Sequence, residues 1–131
     1  MTMIGALGLT GFKGFMTIND ATCAEVFRAF IKHELRKHLR PGDLVVMDNL
    51  NAHKDTEVLR MIRDAGADAI YLPPYSPEYN PIEKAWAKMK ELMRRLNTLT
   101  REAFDAAVAT AMISISMDDI TAWFGHAGYQ V

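Results

Sequence analysis

Two carboxylates, Asp48 and Glu83, stand where an α/β protein carries its chemistry. Asp48 ends a short apolar run, residues 43–48, which is typical of a strand covered on both faces. Glu83 follows a proline-rich segment placed just after the next predicted strand, residues 69–72. Functional groups gather outside the carboxyl ends of strands in open α/β sheets, so we expect the two carboxylates to converge. Such oxygen ligands suit Mg²⁺, and two ions about 4 Å apart would clamp both oxygens of a phosphodiester displacement.

Each residue also has a structural interpretation when it is taken alone. Asp48 can cap the turn that follows it, and His53 can hydrogen-bond within its own loop. Asn80 is expected to be a helix N-cap, with Pro81 as the first helical residue and Glu83 as the third, reaching back in a capping box. The prolines predict a rigid, mostly polyproline-like elbow ahead of that helix. A simple helix cap does not need this elbow, which favours a role in chemistry.

The elements that must position these residues begin with a predicted β-hairpin, residues 3–9 and 12–18, joined through Thr10-Gly11. Thr22 and Glu25 have capping-box spacing at the start of a helix that runs to about residue 39. A helix over residues 55–65 separates the two later strands, so those strands are predicted to be parallel with a right-handed connection. Helices over residues 81–96 and 100–114, with a final short helix and tail over residues 117–129, complete an α/β fold.

Composition sets limits on function. The chain has 131 residues, which fits one globular domain. Its net charge of −1 does not by itself indicate binding to nucleic acid. Residues 28–40 and 84–101 are basic, whereas residues 102–131 contain no Lys or Arg. This polarity is compatible with a phosphate backbone on one side, and ordinary solvated faces are the alternative. The lone Cys23 and the lack of a membrane span or signal pattern predict a protein of the reducing cytoplasm, without a membrane partner.

Two longer motifs carry a family resemblance. Residues 47–54 contain an Asp-Asn-x-x-x-His pattern, and residues 72–83 read Leu-Pro-Pro-Tyr-Ser-Pro-Glu-Tyr-Asn-Pro-Ile-Glu. Together they closely resemble the bacterial insertion-sequence branch of the mariner-like DDE transposases, and the resemblance runs from about residue 4 to residue 129. The 34 residues between Asp48 and Glu83 match the spacing typical of that family.

The resemblance implies an RNase H-like mixed sheet flanked by helices. It also implies metal-dependent hydrolysis of DNA at transposon ends, followed by strand transfer, with Mg²⁺ or Mn²⁺ as cofactor. Asp48 and Glu83 become the catalytic metal ligands. The implied partners are transposon-end and target DNA, and a second copy of the chain. Residues expected to support the ligands or to contact DNA are Asn49, His53, Lys54, Tyr75, Ser76, Asn80, Lys84, Lys88 and Lys90.

One part of the family's pattern has no match. The family's site implies three carboxylates, and the first belongs to a central strand ahead of the hairpin. Asp20 is placed as a turn or cap residue, and Asp43 lies at the wrong end of its strand. We therefore expect residues 1–131 to be a partial catalytic domain, lacking that first strand and any separate DNA-reading domain. Such a chain would be inactive alone and completed by the upstream part of the same transposase.

Two other interpretations stay open. The chain could be a non-enzymatic DNA- or transposase-binding fragment, or a decayed remnant, because the first aspartate is missing and two helices are basic. A weaker alternative is a small metal-dependent hydrolase that uses Asp48, His53 and Glu83.

Overall fold

The computed structural model describes residues 2–19, 22–48, 55–96 and 98–130. The chain divides into two compact units. The first comprises Met1–Gly8 and Phe12–Asn80, and the second comprises Leu9–Gly11 and Pro81–Val131. Over the described ranges the protein contains five α-helices and two small sheets, which confirms the predicted mixed α/β class.

The predicted hairpin is present. Strand β1 (Thr2–Gly8) pairs with strand β2 (Gly11–Ile18) in a two-stranded sheet. Only Leu9 and Thr10 separate the strands, and a connection this short requires antiparallel pairing. Gly11 has a φ of 130°, a conformation that glycine adopts without the steric penalty of a side chain.

The first helix differs from its prediction in two ways. Helix α1 (Ala24–Phe30) continues as a π-helical turn, Ile31–Leu35, and a 3₁₀ turn, Arg36–His38. Its N-cap is Cys23, and no side chain caps it, so the predicted capping box of Thr22 and Glu25 is wrong. The helix starts one residue later than that motif requires, which places Glu25 at the second helical position instead of the third.

The strand–helix–strand crossover is confirmed. Strand β3 (Leu44–Met47) pairs in parallel with strand β4 (Asp68–Tyr71), with Met47 opposite Tyr71. Helix α2 (Thr56–Asp64) connects them and is capped by Asp55, whose carboxylate accepts N–H bonds from the first turn. Gly66 ends the turn after α2 with a φ of 82°, and a Cβ there would lie 3.0 Å from the Cα of Pro41. This close approach packs the start of the β3 segment against the end of the α2 turn.

The core of the first unit lies between the helical residues and one face of the short sheets. Phe30, Ile31, Val58 and Ile62 are its most deeply buried members. Leu44 on β3 is 56% exposed, however, so the prediction of a strand covered on both faces is wrong at its first residue. The described residues form two two-stranded sheets, β1–β2 and β3–β4, and Ile70 on β4 is 45% exposed.

The second unit is helical. It contains α3 (Ile82–Met93), α4 (Arg101–Ile113) and α5 (Met117–His126). Thr100 caps α4 by accepting the N–H of Ala103 at 3.0 Å, as predicted. Buried residues of the three helices include Ala85, Met89, Phe104, Val108, Ala111 and Ile120. In the described part of the chain no helix combines the length and the apolarity needed to cross a membrane.

Candidate active site at the carboxyl end of β3

Asp48 directly follows β3, and its carboxylate is held by a side chain from a distant part of the sequence. The Nδ2 atom of Asn80 donates a hydrogen bond of 3.0 Å to Oδ1 of Asp48. Asn80 is 9% exposed, and among the described residues it is the polar residue that is buried. A buried amide that donates to a carboxylate fixes the direction of the acid group, because losing the bond would leave a buried donor unsatisfied.

The segment between β4 and Asn80, residues 72–80, is here called the elbow. Its first residue, Leu72, donates its N–H to the carbonyl of Met47 at 2.8 Å. Its last residue, Asn80, binds Asp48 through its side chain. Both ends of the elbow are therefore attached to the final residue of β3 and its neighbour, so the elbow is a closed surface loop at this strand end.

The elbow is not the polyproline-like segment that the sequence predicted. Tyr75 takes a left-handed conformation with a φ of 59°, and Pro77–Tyr79 form a 3₁₀ turn. The N–H of Tyr79 donates to Ser76 O and that of Asn80 donates to Pro77 O, at 3.2 and 3.0 Å. Each proline fixes only its own φ and biases the preceding residue, so Tyr75 is able to reverse the chain direction.

The predicted N-cap role of Asn80 is also wrong. Pro81 occupies the N-cap of α3 without a side-chain cap hydrogen bond, and Ile82 is the first helical residue. Asn80 has an extended backbone, and its amide is used on Asp48 instead. Glu83 is consequently the second helical residue of α3, where a carboxylate interacts favourably with the helix dipole.

The predicted site residues fall into three groups. Asp48, Tyr75, Ser76 and Asn80 belong to the first unit, and the structure joins Asp48 to Asn80. Glu83 and the three lysines of α3 belong to the second unit. Asn49, His53 and Lys54, together with Asp20, lie outside the described residues.

The lysines of α3 have different surroundings within the second unit. The Nζ atom of Lys88 donates to the carboxylate of Asp119 and to the carbonyl of Ser114. The hydrogen bond from Lys88 is the main reason that the pKa of Asp119 is lowered, and Ser116 contributes through its N–H. Lys84 and Lys90 are exposed, so their predicted contact with phosphates remains a prediction that solvent access allows.

Sequence reasoning missed one ion pair and one capping box that organise the helices. Arg28 donates to Asp55 at 2.7 Å and lowers the pKa of that carboxyl, which links α1 to the N-terminus of α2. No local pattern predicts this pair, because 27 residues separate its members. The capping box formed by Ser116 and Asp119 does have a local signal, the Ser-x-x-Asp pattern ahead of α5.

The donor set for a metal ion rests on Asp48 within the first unit. Its carboxylate oxygens have the hard character that Mg²⁺ prefers. Over the described ranges, no group of three or more His, Cys, Asp or Glu side chains lies close enough to hold a metal ion. Asp43 precedes β3 and accepts the N–H of Arg40 at 2.8 Å. Five residue steps of extended strand separate Asp43 from Asp48 by about 16 Å, so the two carboxylates cannot bind the same ion. Asp43 thus lies at the wrong end of β3 for a ligand, as the sequence predicted.

The sequence of the chain matches a known protein family over most of its length. Residues 1–105 match the sequence family described as DDE superfamily endonuclease. The matched region contains Asp48, the whole elbow and Glu83, together with both sheets. No match to the chain was found among curated proteins.

Proposed function

From the premise that the chain belongs to the DDE superfamily endonucleases, we propose that it is the catalytic-domain portion of a transposase. The family implies DNA as substrate, and its members generally use divalent metal ions. The finer assignment is to the bacterial insertion-sequence branch of the mariner-like enzymes. The reaction would be metal-dependent cleavage of transposon ends followed by strand transfer. The amino-acid sequences of the two motifs and the 34 residues between Asp48 and Glu83 support that assignment.

The observation that carries the proposal is the hydrogen bond from Asn80 to Asp48. Asp48 belongs to the first motif and Asn80 belongs to the second, 32 residues later. Metal-ligating carboxylates are generally held by such outer partners, which are needed for affinity and activity. Three residues of chain then lead from Asn80 to Glu83. The second motif thus orients one carboxylate and supplies another.

In this proposal Asp48 and Glu83 hold Mg²⁺ or Mn²⁺. The bound ion would activate the attacking water or hydroxyl and stabilise the leaving oxygen of the phosphodiester. Asn80 keeps the Asp48 carboxylate in one orientation. Asn49, His53 and Lys54 follow Asp48 in the first motif and are proposed to contact DNA or the ligands. Lys84 and Lys90 are proposed to contact phosphates, where they would contribute affinity without sequence specificity.

We further propose that a third carboxylate completes the site and comes from a strand in the upstream part of the same transposase. Asp43 is too far from Asp48 to serve as this ligand. Among the described strands β3 pairs with β4 alone, which is compatible with an additional strand on the other edge of β3. On this proposal residues 1–131 bind DNA but do not cut it unaided.

The test is nicking of transposon-end DNA by a protein extended upstream, with Mg²⁺ or Mn²⁺ added. Asp48→Asn and Glu83→Gln should each reduce nicking by at least about 100-fold. Asp43→Asn is the matched control, since it removes a carboxylate from the other end of β3, and it should retain activity. If the extended protein cuts and Glu83→Gln cuts equally well, the assignment is wrong. DNA binding without cleavage in every extended form would favour a non-enzymatic DNA-binding fragment.

A further inference from the structure

Tyr75 combines two unusual properties at the tip of the elbow. It is the one non-glycine residue among those described with a positive φ, at 59°. Its surface is 99% exposed, so the ring gains nothing from packing within the chain. Left-handed backbone in a bulky residue is strained, and such strain is concentrated at sites that hold ligands. Neither the fold nor the core explains why a tyrosine occupies this position.

The elbow presents this ring on a fixed base. Its two ends are bound to Met47 and Asp48, and the 3₁₀ turn Pro77–Tyr79 stiffens its second half. Pro73 and Pro74 restrict the backbone immediately before Tyr75. Tyr75 is three residues from Leu72, so its Cα lies within about 11 Å of the Cα of Leu72. That distance corresponds to about three steps of B-form DNA at about 3.4 Å each, and to fewer steps of an extended single strand.

The chemistry of the elbow indicates how it would contact DNA. Residues 72–80 contain no Lys or Arg, and Glu78 is their single charged residue. Attraction to phosphates therefore cannot be the contribution of this loop. An exposed aromatic ring can instead stack on the face of a nucleobase, which is accessible only when the base is unpaired and unstacked. A rigid tyrosine loses little conformational entropy in such a contact.

We propose that Tyr75 is a stacking platform for an unpaired base within a few nucleotides of the phosphodiester that would be cut at the Asp48 site. This inference rests on the proposed function, because it takes DNA as the ligand. The elbow would therefore prefer single-stranded or frayed DNA over a closed duplex. The contact between the Tyr75 ring and the base would be independent of charge. Tyr75 is thereby a DNA-binding residue and not a metal ligand.

The experiment measures binding of the 131-residue chain to a single-stranded oligonucleotide containing 2-aminopurine and to a blunt duplex of the same sequence. Tyr75→Ala should weaken single-strand binding by roughly 5- to 150-fold, the range of base–aromatic stacking, and should abolish quenching of the probe. Duplex binding should change by less than about two-fold. Tyr75→Phe keeps the ring and should retain both properties. Because the contact is not ionic, the ratio of wild-type to Tyr75→Ala affinity should not depend on salt concentration.

Two controls separate this result from misfolding and from failure of the proposed function. Tyr75→Gly removes the ring and relieves the positive φ, so it should lose single-strand affinity while unfolding at the same or a higher temperature. Tyr79→Ala removes the neighbouring aromatic of the elbow and should keep the affinity. The inference is overturned if the wild-type chain does not bind the single strand, if Tyr75→Phe fails as Tyr75→Ala does, or if both DNA forms are weakened equally. In each of these cases, nicking that depends on Asp48 and Glu83 would still leave the endonuclease assignment intact.

Discussion

Two hydrogen-bonded bridges fix aspartates in the two units of this protein, and they differ in the donor. In the first unit, the neutral amide of Asn80 holds Asp48 at the carboxyl end of β3. In the second unit, the ammonium group of Lys88 holds Asp119 and the carbonyl of Ser114, at the junction of α4 and α5. Asn80 is buried, whereas Lys88 is partly exposed.

The two donors differ in their electrostatic effect on the carboxylates that they bind. A cation neutralises the carboxylate it binds, and the lowered pKa of Asp119 reports that stabilisation. An amide orients a carboxylate without cancelling its charge. Under the proposed function, the Asn80 bridge orients Asp48 for a metal cation, whereas the Lys88 bridge joins α3 to α5.

The strongest way to break the Asn80 bridge is Asn80→Asp, which keeps the shape but replaces the donor with a second carboxylate. At pH 7 we expect a loss of about 3 kcal/mol in the free energy of unfolding, because two like charges would meet in a largely buried site. Protonation of one of the two facing carboxyl groups would remove the repulsion and restore a hydrogen bond between them. Stability should therefore recover as the pH falls from about 8 to about 4. Urea unfolding followed by circular dichroism between about pH 4 and pH 8 measures both effects.

Asn80→Ala is the matched control for this pH dependence. It removes the donor without adding charge and should cost about 1–2 kcal/mol at every pH in that range. Identical, flat pH profiles for the two variants would show that Asn80 does not face Asp48 in solution.

Breaking the Lys88 bridge should have a smaller effect and a different pH dependence. Lys88→Met should lower the melting temperature by a few degrees or less, since the pair is partly exposed. The pKa of Asp119 is lowered in the folded protein, so its contribution to stability is present above the ordinary value of 3.8 and is lost as the pH falls through the lowered pKa. The variant should therefore lose less stability than the wild type on acidification below about pH 4. Lys88→Arg should preserve the wild-type profile, and a Lys88→Met profile that matches the wild type would refute the bridge.

The smallest expected effect concerns the lysines of α3 and DNA. Lys84→Gln and Lys90→Gln should each reduce the slope of log affinity against log salt by about one unit, the value for one phosphate contact. Lys88→Gln should leave the slope unchanged, because its Nζ is engaged by Asp119. Titrations of duplex DNA at several salt concentrations give these slopes. An equal reduction for Lys88→Gln and Lys84→Gln would mean that the Lys88 bridge opens when DNA binds.

Local patterns predicted much of the architecture. The parallel pairing of β3 and β4 followed from the helix between them, and the cap at Thr100 followed from its position before an apolar period. Both features depend on residues close together in the chain. The π-helical turn at Ile31–Leu35 was not predictable in the same way, because the apolar period before and after it still resembles an ordinary α-helix.

The candidate site was predictable in its residues but not in its contacts. Asn80 before Pro81 has the local signature of an N-cap, and sequence alone cannot show that its amide has a competing partner in Asp48, 32 residues away. The left-handed conformation of Tyr75 was missed for a related reason. Prolines indicate a restricted backbone, but closure of the elbow onto Met47 and Asp48 decides which way the chain turns.

The most direct test of the central claim is Mn²⁺ binding by the 131-residue chain, followed by the loss of the free-ion signal in electron paramagnetic resonance. We predict that Asp48→Asn and Glu83→Gln each weaken binding by at least about ten-fold, that Asn80→Ala weakens it by about 10- to 100-fold, and that Asp43→Asn binds as the wild type does. Equal affinity for the wild type, Asp48→Asn and Glu83→Gln would contradict the assignment of these two carboxylates as the metal ligands.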